Sequence, residues 1–317
     1  MSLSFFFSLS VGVAGISPQK IIHLFLQGPG SSDYSIVFDI RLPRIILGFA
    51  IGGALSLAGV ILQGMFRNPL VEPYTLGISG GASLGVSLNI VLGFAAWNRF
   101  SLPLSGFLGA MAVIGFLYLT SFRKGSANLQ GLLLNGVMIS FISSSLVMLL
   151  LALTSAESLQ GIIFWIMGSL GESDTLLIKV MLIVSLVLLA LSYLFCLPLN
   201  AFALGEEEAL HLGIPVERSK QILFLISGIC VGFCVSVAGV IGFIGLVVPH
   251  FMRKVVGADH RILLVSSFLA GAIFLIACDT MARTIIAPLE LPVGVITGIV
   301  GGSIFVYTLC TDKKNHA

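Results

Sequence analysis

The sequence predicts an all-α polytopic membrane protein of about ten transmembrane helices, arranged as two five-helix halves of opposite orientation. Three observations predict it. The 317-residue chain is 57% hydrophobic and only 9% charged, with a mean hydropathy of +1.10, a composition foreign to a water-soluble globule. Uncharged runs recur at 45–66, 73–98, 100–122, 125–156, 180–205, 221–249, 262–278 and 291–311, and most exceed the roughly 20 residues that cross a hydrocarbon core. The chain also resembles itself at an offset of 180 residues.

The repeat is carried by backbone-fixing residues. Ser56-Leu57-Ala58-Gly59-Val60-Ile61 returns as Ser236-Val237-Ala238-Gly239-Val240-Ile241. In the same register Ile46 falls on Ile226, Gly48 on Gly228, Gly52 on Gly232, Pro69 on Pro249 and Gly77 on Gly257. Those ten identities lie in one ungapped 32-residue window, and shared apolar composition does not account for the glycines and prolines among them. A duplicated half is a common architecture of membrane transporters, so transport is the first functional expectation.

In order, the expected segments lie near 3–16, 42–65, 75–95, 103–122, 129–153, 175–196, 220–240, 241–253, 262–285 and 293–311. The first is uncharged but short, without the basic start or cleavage site of a secretory signal. A short apolar piece at 158–170 cannot span and reads as re-entrant. The eighth segment is also short, and Gly239, Gly242 and Gly245 predict a break before it. The repeat offset covers five segments, an odd number, so the halves (about 1–157 and 175–317) face opposite ways within one permease-like domain, 1–317. Glycines at i and i+4 (Gly48/Gly52, Gly77/Gly81/Gly85, Gly228/Gly232, Gly294/Gly298) are expected to let helices approach closely.

Basic residues orient the chain. With the amino terminus inside, Arg67, Arg123, Lys124, Arg218, Lys220, Arg253, Lys254, Arg261, Lys313 and Lys314 are cytoplasmic, as is the carboxyl terminus. Lys20, Arg41, Arg44, Arg99, Lys179 and Arg283 then fall outside, and ten against six favours this sense in a multi-pass protein.

No enzyme chemistry is expected. Cys196, Cys230, Cys234, Cys278 and Cys310 sit in or beside apolar runs and read as small core residues, with no metal ligand set around them. The five histidines are scattered, and no phosphate-binding G-x-x-x-x-G-K-[ST] loop occurs, so no bound cofactor is expected. No basic cluster with interleaved aromatics points to nucleic acid.

Several motifs in order resemble one importer family. Arg41-Leu-Pro-Arg44, Gly59-Val-Ile-Leu-Gln63, Arg67-Asn-Pro-Leu70 and Leu76-Gly-Ile-Ser-Gly-Gly81 look like the second and third helices of the FecCD permeases of iron-siderophore, haem and cobalamin ABC importers. Gly205-Glu-Glu-Glu208 with Leu212-Gly213, then Gly242-Phe-Ile-Gly-Leu-Val-Val-Pro-His250, then Glu290-Leu-Pro-Val-Gly294, resemble the second half. The resemblance covers roughly 15–311. It implies a ten-helix subunit of a prokaryotic cytoplasmic (inner) membrane working as a dimer, with the substrate path between subunits. It also implies two ABC ATPase subunits inside, which hold the ATP and Mg, and a substrate-binding protein outside.

The resemblance also implies roles for named residues. Arg41, Arg44 and Arg283 match positions that dock the binding protein, a task that suits the directional bonds of arginine to carboxylates. Asp279, four residues before Arg283, offers a competing internal ion pair. The polar stretch 204–217 matches the cytoplasmic coupling helices, with Gly205, Glu206, Glu207, Glu208, Leu210, Leu212 and Gly213 toward the ATPase. Asn68, Pro69 and Leu70 match a cytoplasmic gate, with an ordinary turn as the plain alternative; Pro249 is the repeat partner of Pro69 without a matching Asn, which makes proline the expected shared structural element and Asn68 the specific one. Asn135, Ser140, Ser143, Ser144 and Ser145 match a pore-lining helix, though small polar residues also glue helices together.

The expected function is therefore a permease moving a metal chelate inward, ferric siderophore first, haem or cobalamin next. An oxyanion importer of the same family and an ion-coupled secondary transporter are the alternatives. The latter would want a mid-span carboxylate, and only Asp279 comes near.

Overall fold

The computed structural model describes residues 2–12, 15–27, 30–122, 129–172 and 174–315. Arg123 and Lys124, expected on the cytoplasmic side, lie outside the described residues. The first half comprises α1 (Ser2–Ser10), α2 (Pro18–Gln27), α3 (Ser32–Ser35), α4 (Leu42–Phe66), α5 (Ile78–Val91), α6 (Ser101–Ser121), α7 (Leu129–Leu153) and the short α8 (Ala156–Ile166). The second comprises α9 (Thr175–Tyr193), α10 (Cys196–Leu204), α11 (Glu206–His211), α12 (Val216–Ala238), α13 (Ile244–Val256), α14 (His260–Thr284) and α15 (Val293–Asn315).

Among the described residues, six helices are long and apolar enough to cross a membrane, and Ile78–Val91 and Val293–Thr308 are shorter apolar helices. Each expected segment meets a helix, with three changes. The first shortens to α1, and α2 follows it unannounced. The sixth divides at Leu194–Phe195 into α9 and α10. The expected pair of coupling helices reduces to α11 alone, because α12 already begins at Val216, straight after Pro215.

Side-chain caps fix several helix starts. Asp174 accepts from the Leu176 N–H (2.8 Å) at α9, and Asp259 from the Arg261 N–H (3.0 Å) at α14. Gly239 ends α12 at φ 70°, and Phe243 opens α13 at φ 70°, so the expected break before the eighth segment is present. The break is held from outside itself: the Phe243 N–H donates to Glu72 Oε1 (2.7 Å) and the Ile241 N–H to the Tyr74 hydroxyl (3.2 Å). Both partners lie in the loop between α4 and α5, so loop from one half satisfies backbone freed in the other.

α4 is the axis of the fold. Of its most apolar window 89% is buried, against 17% for α7, so α4 is core and α7 is rim. α14, α12, α9 and α13 pack around α4. Phe141, Met148 and Leu153 of α7 stand exposed, a face that only hydrocarbon or another apolar surface can accept. Two glycine contacts set the spacing: a Cβ on Gly52 would overlap the Gly271 carbonyl oxygen of α14, and one on Gly59 the Gly245 carbonyl oxygen of α13.

The repeat-related helices α4 and α12 pack against each other, and Arg67 at the end of α4 lies beside Gly205, shortly before the start of α12. They therefore run in opposite senses. The prolines of the repeat part company: Pro69 lies in the turn after α4, whereas Pro249 lies inside α13. Proline is thus not a shared structural element of the two halves. It follows a helix already capped at Arg67 in one and removes a hydrogen bond within a helix in the other.

Candidate functional site

At the N-terminal end of α4 the chain departs from α geometry. The Leu42 N–H bonds to the Val37 carbonyl, five residues back, and this π-turn over Ile36–Arg41 carries the chain into Arg41 and Arg44. Both guanidiniums are buried, as is that of Arg283. Arg44 donates to Asp279 Oδ1 from Nη2 (3.1 Å) and to Glu290 Oε2 from Nη1 (2.6 Å). Arg283 donates from Nε to the other oxygen, Asp279 Oδ2 (2.9 Å), and from Nη2 to Ser8 Oγ (3.1 Å). Arg41 donates to the Leu9 carbonyl.

The guanidiniums expected to meet a partner's carboxylates are thus engaged within the chain, and the competing internal pair with Asp279 is the one observed. The physical reason is packing: α4 and α14 close on each other here, and buried cations need counter-charge. Arg41, Arg283 and the half-exposed Glu290 still line an open cavity of about 300 Å³ at this end.

At the other end of α4, Arg67 adopts a left-handed conformation (φ 49°) and stops the helix. Asn68 Oδ1 then accepts from the Leu70 N–H (2.9 Å), a side-chain-closed turn around Pro69 that leaves Leu70 exposed. Asn68 and Pro69 line a cavity of about 270 Å³ together with Gln63, Arg67, Arg253 and His260. The three gate candidates are therefore contiguous, at a basic recess.

Gln63 organises that recess. Pro249 has no N–H to give the Gly245 carbonyl, four residues earlier in α13. Gln63 Nε2 supplies it from α4 (3.2 Å) and also reaches the Leu246 carbonyl (3.3 Å), while Gln63 Oε1 accepts from Arg253 Nη1 (3.1 Å). Sequence reasoning met Gln63 only as a motif letter. The available signal was a lone amide in an apolar run, in a chain that also places a proline inside an apolar segment.

α11 stands beside this recess. Ala209 is buried and Leu210 and Leu212 are exposed, so one apolar side anchors the helix and another faces outward. Of the three glutamates, Glu206 is engaged internally: Lys220 Nζ, itself 1% exposed, bonds to Glu206 Oε2 at 2.6 Å. Glu207 and Glu208 face outward. Gly205 and Gly213 flank the helix at φ 129° and 77°.

The polar residues of α7 separate. Ser143 is buried where α7 crosses Gly80 of α5, so it is a packing residue and not an open lining group. Ser140 bonds back to the Gly136 carbonyl (3.1 Å), Asn135 is half-buried, and Ser144 and Ser145 lie exposed beside Phe141 and Met148. The chain itself does not gather these side chains at one place. Among the described residues no group of three or more His, Cys, Asp or Glu side chains could hold a metal ion.

Comparison with known proteins follows this geometry. The model of the FecCD transport family matches residues 1–311. The chain is 40% identical over 316 residues to the hemin transport system permease protein HmuU of Yersinia pestis, covering 98% of this chain and 94% of that one. It is 38% identical over 280 residues to the vitamin B12 import system permease protein BtuC of Salmonella typhi, covering 88% and 84%. A solved inward-facing structure of a metal-chelate type ABC transporter superposes with TM-score 0.86 at 31% identity, covering 97% of this chain and 96% of that one.

Proposed function

The chain belongs to the FecCD transport family and is a multi-pass membrane permease of an ABC importer, and from that premise we propose that it carries a metal chelate inward. The observation that carries the reading is one adjacency: the recess lined by Asn68 and Pro69 takes in Ala203 at the end of α10, and Arg67 in its wall lies beside Gly205, the residue before α11, where Leu210 and Leu212 stand uncovered. A gate beside a docking element is what a transport subunit driven by a separate ATPase requires. Exposed Glu207, Glu208, Leu210 and Leu212 then form the ATPase contact, and Arg67 and Arg253 offer the partner a basic recess next to it.

In this reading the carboxyl terminus is cytoplasmic and a second copy covers an exposed apolar face such as that of α7. A binding protein docks at the opposite end, over the cavity lined by Arg41, Arg283 and Glu290. Because Arg41, Arg44 and Arg283 are buried, they act there mainly by shaping and charging the rim, with Glu290 the group within a partner's reach. Ferric siderophore is the cargo expected from sequence alone. The 40% relative is named for hemin, which makes haem the first chelate to test.

The test is uptake of haem and of a ferric siderophore into proteoliposomes holding the permease and its ATPase, with the binding protein added outside. Uptake that needs ATP and the binding protein is expected. Uptake driven by a proton or sodium gradient with no ATPase present would instead establish the secondary-transport alternative.

A further inference from the structure

α11 is a six-residue helix between two glycines, both at a positive φ that glycine takes without strain. No atom lies within 4 Å of a Cβ placed on Gly213, and at Gly205 the nearest is an Arg67 nitrogen at 3.9 Å. Neither glycine packs against side chains, and backbone turns alone hold them: the Gly213 N–H bonds to the Leu210 carbonyl (2.9 Å), the Ile214 N–H to the Ala209 carbonyl (3.0 Å) and the Gly205 N–H to the Phe202 carbonyl (3.2 Å). Without a further tie, a displacement of α11 is resisted only by these turns.

One ionic contact supplies that tie. Lys220, on the second turn of α12, is 1% exposed, and its ammonium bonds to Glu206 Oε2 at 2.6 Å with Glu217 Oε1 at 3.9 Å. A buried ammonium is costly unless paired, so the lysine holds Glu206, the first residue of α11, against α12. Ala209, fully buried, adds an apolar contact one turn on. α12 in turn packs on α4, the axis of the fold, and on α6 and α9.

We propose that Lys220 is a positioning residue that joins α11 to α12 as one rigid unit, so that a push on α11 by the ATPase moves α12 and is not lost at Gly205 and Gly213. This rests on the ATPase reading of α11 given above. Glu206 belongs to the latch, and the docking surface is left to Glu207, Glu208, Leu210 and Leu212.

Lys220→Met is the informative variant. It removes the ammonium but keeps an apolar stem, and the partly exposed Glu206 and Glu217 can turn to water, so no buried charge is stranded. Hydrogen exchange on the permease with its ATPase, and substrate taken up per ATP hydrolysed in proteoliposomes, are measured for both proteins. In the variant, amides of 206–213 are expected to exchange about tenfold faster and uptake per ATP to fall about tenfold, the scale of one charge-assisted hydrogen bond. Adding Glu206→Leu, which replaces the ion pair by an apolar contact, is expected to restore much of both.

Unchanged exchange at 206–213 in Lys220→Met would overturn the latch, as would faster exchange with unchanged uptake per ATP. A wild-type complex without ATP-driven uptake would instead sink the proposed function. The exchange measurement would then still decide whether Lys220 holds α11.

Discussion

Gln63 donates to the carbonyl of Gly245 the hydrogen bond that Pro249 withholds, and in doing so ties α4 to α13. Gln63→Leu leaves the Gly245 carbonyl without its donor and removes the further bonds to the Leu246 carbonyl and from Arg253, at an expected cost of about 2–3 kcal/mol of stability. Pro249→Ala returns an N–H to Gly245 within α13. In that background Gln63→Leu is expected to cost about 1 kcal/mol less. Denaturant unfolding of the four proteins in detergent checks it, and strict additivity would show that the proline and the amide are unrelated.

Asp279 receives Arg44 on one oxygen and Arg283 on the other, nearly out of reach of solvent. Asp279→Asn leaves two buried guanidiniums short of counter-charge and is expected to cost about 3–5 kcal/mol. Glu290 also pairs with Arg44 but is half-exposed, so Glu290→Gln is expected to cost below about 1 kcal/mol. Equal melting shifts for the two variants would contradict the ranking.

Gly59→Ala brings a methyl group onto the Gly245 carbonyl, backbone against backbone, with no rotamer that can yield. Loss of more than about 3 kcal/mol is expected, read as loss of the monodisperse peak in size-exclusion chromatography. The sequence also grouped Gly294 with Gly298 as packing glycines, but no atom lies within 4 Å of a Cβ on Gly298. Gly298→Ala should therefore be neutral, or stabilising by up to about 1 kcal/mol.

The cap of α14 gives a pH dependence. Asn200 Nδ2 donates to Asp259 Oδ1 (2.8 Å), and with the Arg261 N–H it holds this carboxyl below the usual carboxylate range. A depressed folded-state value means stabilisation that is fully present above about pH 4 and fades as pH falls through the folded value. The difference in melting temperature between wild type and Asp259→Asn should therefore shrink between about pH 6 and about pH 3. A difference that stayed constant across that range would remove the capping carboxylate from the explanation.

Much of the helix inventory was legible because uncharged length, glycine and proline act locally. The break at 239–243 was announced by its glycines, whereas the capping aspartates Asp174 and Asp259 went unread. Pairings between distant turns were not legible. Nothing in the spacing of Glu206 and Lys220, 14 residues apart, says that a loop turns back to join them. In α7, Ser143 and Ser144 are identical letters, and only the place where Gly80 crosses makes one a packing residue and leaves the other exposed. The equal register of Pro69 and Pro249 suggested equal roles, because an offset cannot say whether a proline follows a helix or sits within one.

The pairing of Arg44 with Asp279 also has a history in time. Their separation is 235 residues, and at about 5–20 residues per second of synthesis the guanidinium enters the bilayer on the order of ten seconds or more before its carboxylate exists. Through that interval Arg44 must remain near the water boundary, where a long basic side chain can still reach headgroups. The pair can therefore close only after α14 has been made, so the buried end of α4 is completed late in synthesis.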